Sequence, residues 1–283
     1  MSQQDHHDVR KTVRDSYATI ATDGGNSGCC APTSGGSSCC GPADDAKIPT
    51  AEEMSAFFGY SDDEMAAVPD GANLGLGCGN PQAIADMKAG ETVIDLGSGA
   101  GFDAFLAAGK VGPLGHVIGI DMTHEMLTKA RTNAEKGGYG HVEFRLGEIE
   151  YMPIANDTAD VIISNCVINL SPNKPQVIRE AFRVLKSGGR LAISDVVATA
   201  AFPDDFKDDD HLLSGCVTGA SLVGDLQSWL EEAGFINVFI DIKEESRDGI
   251  ADWAPGRGIE NYVVSAIITG EKPAEGCCVS GTC

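Results

Sequence analysis

From Thr92 to about residue 270, short apolar runs alternate with stretches of helical periodicity. Thr92–Leu96 (TVIDL) is β-branched and apolar, as a strand buried on both faces would be. His116–Ile120 is a second such run, closing on Asp121, and Val142–Leu146, Ala159–Ser164 and Leu191–Ser194 follow it. Phe235–Ile242 and Tyr262–Ile268 are the last two. The intervening segments read as helices. One opens at Phe102. A second, capped by Thr123, turns Met126, Leu127, Ala130 and Ala134 inward and stops at Gly137-Gly138. A third covers Pro175–Leu185, with Val177, Ile178, Ala181, Phe182 and Leu185 on one face and Gly188-Gly189 as its end. A fourth lies around Leu226–Glu232. Seven strands alternating with helices predict an α/β fold, a doubly wound, seven-stranded, Rossmann-like sheet.

The flanks follow other patterns. Val9, Val13 and Tyr17 recur every four residues, predicting a short amphipathic helix. Residues 22–43 are Gly, Ser, Pro and Cys and read as loop. Capping boxes at Thr50/Glu53 and Ser61/Glu64 start two short helices, and Pro69-Asp70-Gly71 is a turn. Asn73–Gly79 (NLGLGCG) is a glycine-rich loop with one thiol, after which Asn80 and Pro81 are expected to start a helix over Gln82–Lys88. Four segments result: an N-terminal helical cover with cysteine-bearing loops (1–90), a ligand-binding α/β core (91–197), a small C-terminal cap with the last strands (198–270), and a cysteine-rich tail expected to be disordered (271–283).

Charge narrows the partners. The chain of 283 residues has 20 basic residues against 42 acidic ones, a formal net charge of −22. Such a surface repels phosphate backbones and anionic lipid, so neither nucleic acid nor membrane is an expected partner. The N-terminus lacks a signal peptide's apolar core and no apolar run reaches membrane-span length, which predicts a cytoplasmic protein. Ten cysteines in such a chain do not read as a disulfide framework. Cys29, Cys30, Cys39 and Cys40 form two adjacent pairs, Cys78, Cys166 and Cys216 stand singly within the body, and Cys277, Cys278 and Cys283 end the chain. No C-x-x-C pair suggests zinc; soft thiolates in a reducing compartment point to a thiophilic ion.

The first strand breaks into Gly97, Gly99 and Gly101 before helical character resumes. A strand ending in a glycine turn that opens a helix brings backbone N–H groups close to a ligand. The dinucleotide pattern G-x-G-x-x-G fails, because Phe102 stands where the third glycine belongs. What remains is G-x-G-x-G behind an acidic strand residue, Asp95. Asp121, ending the second strand, is placed to accept both ribose hydroxyls of a nucleoside, or is an ordinary turn carboxylate. Met122 could pack on an adenine face or be core, and Glu148 could accept from an adenine amino group or be an exposed acid. Asn165 and Cys166 end the fourth strand, at the carboxyl edge where doubly wound sheets bind ligands. Cys78 lies between two glycines and Cys216 among small residues (SGCVTG), with little local packing for either thiol. Both stand on segments expected to cover that edge, so three thiols could converge there as a trigonal site for a soft ion.

The glycine loop behind Asp95 resembles the first motif of class I S-adenosylmethionine-dependent methyltransferases. LGCGNP at 76–81, VIDLGSGAGFD at 93–103, GIDMT at 119–123, SNCVINL at 164–170 and GCVTGA around Cys216 together resemble the arsenite methyltransferase family, from about Val9 to Gly270. The donor motifs are shared with many methyltransferases, quinone-directed ones included; the three cysteines in context are more specific. The resemblance implies S-adenosylmethionine as methyl donor and Cys78, Cys166 and Cys216 as ligands of trivalent arsenic. It implies thiol exchange at Cys29 or Cys30, arsenite and methylated arsenicals as substrates, mono- and dimethylated products, and thioredoxin or glutathione as reductant. A monomer is expected. Two other readings stay open at the level of sequence: methylation of a small organic acceptor, and a thiol-rich protein that only sequesters soft metals.

Overall fold

The structure, a computed structural model, describes residues 3–23, 49–203, 206 and 209–274. The apolar runs assemble into one sheet around β1 (Thr92–Leu96), which pairs in parallel with β2 (His116–Asp121) on one side and β4 (Ala159–Asn165) on the other. The strand order is β3-β2-β1-β4-β5-β8-β7, with β3 at Val142–Leu146, β5 at Leu185–Ala198, β7 at Ile236–Lys243 and β8 at Val263–Glu271. β8 runs antiparallel between β5 and β7.

Alternation along β1 divides the core. Val93 packs on one face with Ala104, Phe105 and Ala108 of α4 (Phe102–Val111) and Leu127 and Ala130 of α5 (His124–Gly137). Ile94 and Leu96 pack on the other with Val177, Ile178 and Ala181 of α6 (Lys174–Val184) and Leu226 and Leu230 of α8 (Val223–Ala233). Both faces are covered by helices, which is why the strand reads as apolar throughout.

Two predicted elements differ and one strand is additional. The helix expected over Gln82–Lys88 is a single 3₁₀ turn, Pro81–Ala83, capped by the Asn80 side chain. The Arg190 guanidinium takes the Ala85 and Asp86 carbonyls at 2.6 and 2.5 Å, and Asp86 has φ +43°, so the backbone cannot continue as a helix. α6 ends at Val184 rather than at Gly188-Gly189; Leu185 is already extended, and Gly188-Gly189 exchanges backbone hydrogen bonds with Lys272 beyond β8. A two-residue strand, β6 (Ser221–Leu222), pairs with the end of β5 and is too short for periodicity to reveal.

The first helix, α1, runs Gln3–Asp23, longer than the short one expected. Both capping boxes form, heading α2 (Ala51–Phe57) and α3 (Asp62–Ala66). α7 (Asp210–Ser214) precedes β6, and α9 (Arg247–Ala251) lies between β7 and β8. Val13, Phe58, Leu212, Val217 and Ile250 from these segments bury Cys78, Cys166 and Cys216 in an apolar cluster above the ends of β4 and β5. Cys29, Cys30, Cys39 and Cys40, most of the loop expected at 22–43, and residues 275–283 of the predicted tail lie outside the described residues, as do Cys277, Cys278 and Cys283. Among the described residues no helix is long and apolar enough to cross a membrane.

Candidate active site

The turn after β1 is glycine for steric reasons. Gly97 and Gly101 have φ of +65° and +96°. A Cβ on Gly97 would lie 2.4 Å from Val167, and one on Gly101 2.6 Å from Phe105. The freed backbone closes on Asp121: Gly99 N–H donates to Oδ2 at 3.0 Å and Thr123 N–H to Oδ1 at 2.7 Å, fixing the carboxylate at the rim. Gly97, Gly99, Asp121 and Thr123 edge a cleft with roughly 1070 Å³ of empty space, its open mouth included, whereas Gly101, expected at the cofactor, is not on its wall. Asp95, Gly97, Gly99, Asp121, Met122 and Asn165 all line it.

The cleft is lined by buried acids. Asp95 is buried and its carboxyl is pushed well above the usual range by burial, then by the charges of Asp103 and Asp121. Asp103 and Asp121 are raised as well, each first by burial and each partly relieved by hydrogen bonds. Asp95 Oδ2 and Ser98 Oγ are buried without a protein partner. Buried acceptors and three converging carboxyls fit a nucleoside ligand that itself carries positive charge.

α1 lies against the same cleft through Arg10, Val13 and Tyr17. Arg10 Nε reaches Glu148 at 3.2 Å and the buried Glu150 at 3.4 Å, and Tyr17 donates to the Ser214 carbonyl at 3.3 Å. The loop after β3 lines the cleft with Gly147, Ile149 and Glu150; the Glu148 side chain is instead paired with Arg10 and 41% exposed.

Two of the single thiols, Cys78 and Cys166, meet above the sheet edge, and Cys216 stands beside Cys166. The Sγ atoms of Cys78 and Cys166 and a carboxylate oxygen of Asp195 lie within 4.8 Å of one another, all buried. Cys216 Sγ donates to the Cys166 carbonyl at 2.8 Å. Of the three, Cys166 is on the wall of the nucleoside cleft. Cys166 and Cys216 have φ of +58° and +63°, a left-handed backbone costing a side-chain-bearing residue on the order of 1 kcal/mol. The flanks of Cys78 need glycine for proximity: a Cβ on Gly77 would lie 2.5 Å from Asn165 Nδ2, and one on Gly79 2.7 Å from Ser194 Cβ.

Asn165 joins the two halves of the site. Its Oδ1 accepts from Cys78 N–H at 3.0 Å, while Nδ2 reaches the Gly79 carbonyl at 2.8 Å, Tyr60 Oη at 2.9 Å and Asp103 Oδ2 at 3.1 Å. Ser265 Oγ holds the Cys78 carbonyl at 2.6 Å from the other side.

Burial pushes the Cys78 thiol up to about 11. The Cys166 thiol is pulled down by its contact with Cys216, but Cys78 and burial lift it well above the ordinary cysteine value. Cys216 is raised by its contact with Cys166 and by burial. The three are therefore protonated at neutral pH without a bound ion.

Asp195, Asn169, Lys174, Arg10, Glu150, Tyr60 and Asp103 were not singled out from sequence. Asp195 offered a signal, an acid inside the apolar run LAISDVVA. Its Oδ1 accepts from Asn169 Nδ2 and Val196 N–H, both at 2.8 Å, and its Oδ2 from Ile168 N–H at 3.0 Å. Burial nevertheless raises its carboxyl to about 6, offset by those bonds and by Lys174.

A family model described as a methyltransferase domain matches residues 87–234. A protein of Halobacterium salinarum named arsenite methyltransferase is 52% identical over 97% of this chain and 69% of its own length. Another so named, from Aquipseudomonas alcaligenes, is 44% identical over 50% of this chain and 43% of its own, so the chain spans less than half of that relative. Among solved structures, CrArsM of Chlamydomonas reinhardtii, described as an arsenic(III) S-adenosylmethionine methyltransferase, aligns with a TM-score of 0.56 at 30% identity, covering 82% of this chain and 76% of that one.

Proposed function

The chain belongs to the arsenite methyltransferase family of S-adenosylmethionine-dependent enzymes, and from that premise we propose that Cys78, Cys166 and Cys216 hold trivalent arsenic beside the nucleoside cleft for methylation. The observation carrying this reading is that Cys166, on the wall of the acidic cleft, has the Cys78 sulfur beside its own and the Cys216 sulfur on its carbonyl.

Arsenite presents three hydroxyls. Each protonated thiol exchanges for one of them, forming an As–S bond and releasing water, so the raised thiol pKa values suit the exchange and no separate base is needed. The apolar cluster around the sulfurs then excludes water from the bound metalloid. On this reading Asp121 takes the ribose hydroxyls, Met122 the adenine face, the backbone at Gly97 and Gly99 a close contact, and Asp95 the positively charged end of the donor; all of them line the cleft. Bound there, S-adenosylmethionine supplies an electrophilic methyl group. The arsenic lone pair bears no proton, so the protein's task is alignment, and Asn165, bonded to Cys78 and reaching Asp103, sets the two halves in register.

Each methyl added occupies a position on arsenic that a thiolate held, so affinity falls as methylation proceeds, and mono- and dimethylated products are released. Thioredoxin or glutathione restores the thiols and Cys29 or Cys30 enters the exchange, points that sequence resemblance supports, and the enzyme acts as a cytoplasmic monomer. A small organic acceptor or simple metal sequestration would leave the meeting of thiols and donor cleft without a purpose. The test is methyl transfer from labelled S-adenosylmethionine to arsenite with a thiol reductant, comparing Cys78→Ser, Cys166→Ser and Cys216→Ser. All three should lose activity; full turnover by Cys166→Ser would sink the three-thiolate site.

A further inference from the structure

A further acidic group stands against two of the three thiols. A carboxylate oxygen of Asp195 lies within 4.8 Å of the Cys78 and Cys166 sulfurs, and its charge raises all three thiols. Asp195 is 2% exposed and is not among the residues lining the nucleoside cleft, whereas Cys166 is. A buried negative charge here disfavours free thiolates and keeps the sulfurs in the neutral form that exchanges with arsenite, which leaves its effect on bound arsenic to be accounted for. Its counter-charge is incomplete: Lys174 acts on Asp195, but the Lys174 ammonium donates to the Ser171 carbonyl at 3.2 Å.

The charge bookkeeping of the reaction supplies a use for it. Arsenic bound by three thiolates is neutral. When its lone pair forms the new As–C bond, the pair of the old C–S bond stays on the donor sulfur, and one positive charge passes to arsenic. Return of arsenic to the trivalent state then needs two electrons from a thiol reductant. We infer that the Asp195 carboxylate stabilises the positive charge that arsenic acquires as it is methylated. Its role is electrostatic and specific to the transfer step, and it rests on the three-thiolate reading above.

At a carboxylate-to-arsenic distance of about 5 Å and an effective dielectric constant near 20, a partly developed charge opposed by one nearby ammonium corresponds to roughly a 10- to 100-fold effect on rate. The hydrogen bonds that fix the carboxylate also brace the 168–169 backbone next to Cys166, so a positioning role must be separated from an electrostatic one.

The experiment uses the full chain, preloaded with arsenite and mixed with labelled S-adenosylmethionine in a single turnover, alongside equilibrium dialysis of arsenite without donor. Asp195→Asn should slow the single turnover by roughly 10- to 100-fold while arsenite affinity stays within about threefold of the parent. Asn169→Ala keeps the charge but removes one of its hydrogen-bond donors, and should slow transfer less than Asp195→Asn. A single-turnover rate unchanged in Asp195→Asn overturns the inference, as does an arsenite affinity falling in step with the rate. If a melting curve shows Asp195→Asn unfolded, Lys174→Met decides at pH 8. It removes the opposing cation and leaves the carboxylate's hydrogen bonds in place, so the rate should hold or rise, and a fall of about tenfold overturns the inference. A parent protein that moves no methyl to arsenite refutes the three-thiolate reading itself; normal turnover with an insensitive Asp195→Asn refutes only the role of Asp195.

Discussion

Gly79→Ala tests whether the approach of the Cys78 loop to the sheet is as close as the structure has it. The new methyl would lie 2.7 Å from Ser194 Cβ and 2.9 Å from Ser194 Oγ. Carbon atoms need about 3.5 Å, so something must move by roughly 0.8 Å. Ser194 is fully buried in β5, paired with β4 on one side and β8 on the other, and cannot give way. The loop must therefore retreat, straining the Asn165-to-Gly79 bond of 2.8 Å and the Ser265-to-Cys78 bond of 2.6 Å. Overpacking of this kind costs about 1–3 kcal/mol, and a Cys78 displaced with its loop should lose at least tenfold in arsenite affinity. Urea denaturation and arsenite titration measure the two effects. Ser194→Gly removes the obstructing atoms at a backbone cost of about 0.5–1 kcal/mol, so the pair Gly79→Ala/Ser194→Gly should be more stable than additivity allows by about 1–2 kcal/mol, with affinity recovered. Additivity within roughly 0.5 kcal/mol would mean that the loop absorbs the methyl without resisting, and the steric reasoning would fail.

Asp121→Asn should weaken S-adenosylmethionine binding by about 10- to 100-fold, the worth of charge-assisted hydrogen bonds, with arsenite affinity unchanged; calorimetry with each ligand separates the two. Because Cys166 sits at φ +58°, Cys166→Gly should be more stable than Cys166→Ala by about 1 kcal/mol in urea, reversing the usual order, although both are inactive. Asp195 titrates near 6 in the fold against an ordinary 3.8, so it destabilises the fold; the penalty is absent below 3.8, grows as pH rises and is complete above 6. Between pH 5 and 7 the parent should lose about 1 kcal/mol through this group, and Asp195→Asn should not; parallel stability curves for the two proteins would refute the assignment.

The strands of the core could be read from sequence because burial on both faces imposes an unbroken apolar run, as in Thr92–Leu96. Local patterns failed where a distant residue decided the outcome. Nothing within Gln82–Lys88 reveals that Arg190, more than a hundred positions away, captures the Ala85 and Asp86 carbonyls. The site divides in the same way. Gly97, Gly101 and Asp121 are legible because turn geometry demands them, Cys78 and Cys216 because their neighbours are small, and Cys166 because it ends a strand at the ligand edge. Tyr60 and Asp103 matter through one another and through Asn165, and such a network leaves no periodicity behind. Cys166 and Cys216 gave no local sign that their backbones would be left-handed.

The contacts of α1 bear on the order in which the molecule comes together. Arg10 meets Glu150 across 140 positions of chain, and Tyr17 meets Ser214 across 197. Closing loops of that length is entropically slow, and the helix emerges from the ribosome long before either partner exists. The sheet and its glycine turn can form without it, so α1 should dock last in folding and detach first in sub-global opening. Its amides should then exchange with deuterium well ahead of those of β1 and β4, and the sites would fill and empty at a frequency set by the undocking of one amphipathic helix.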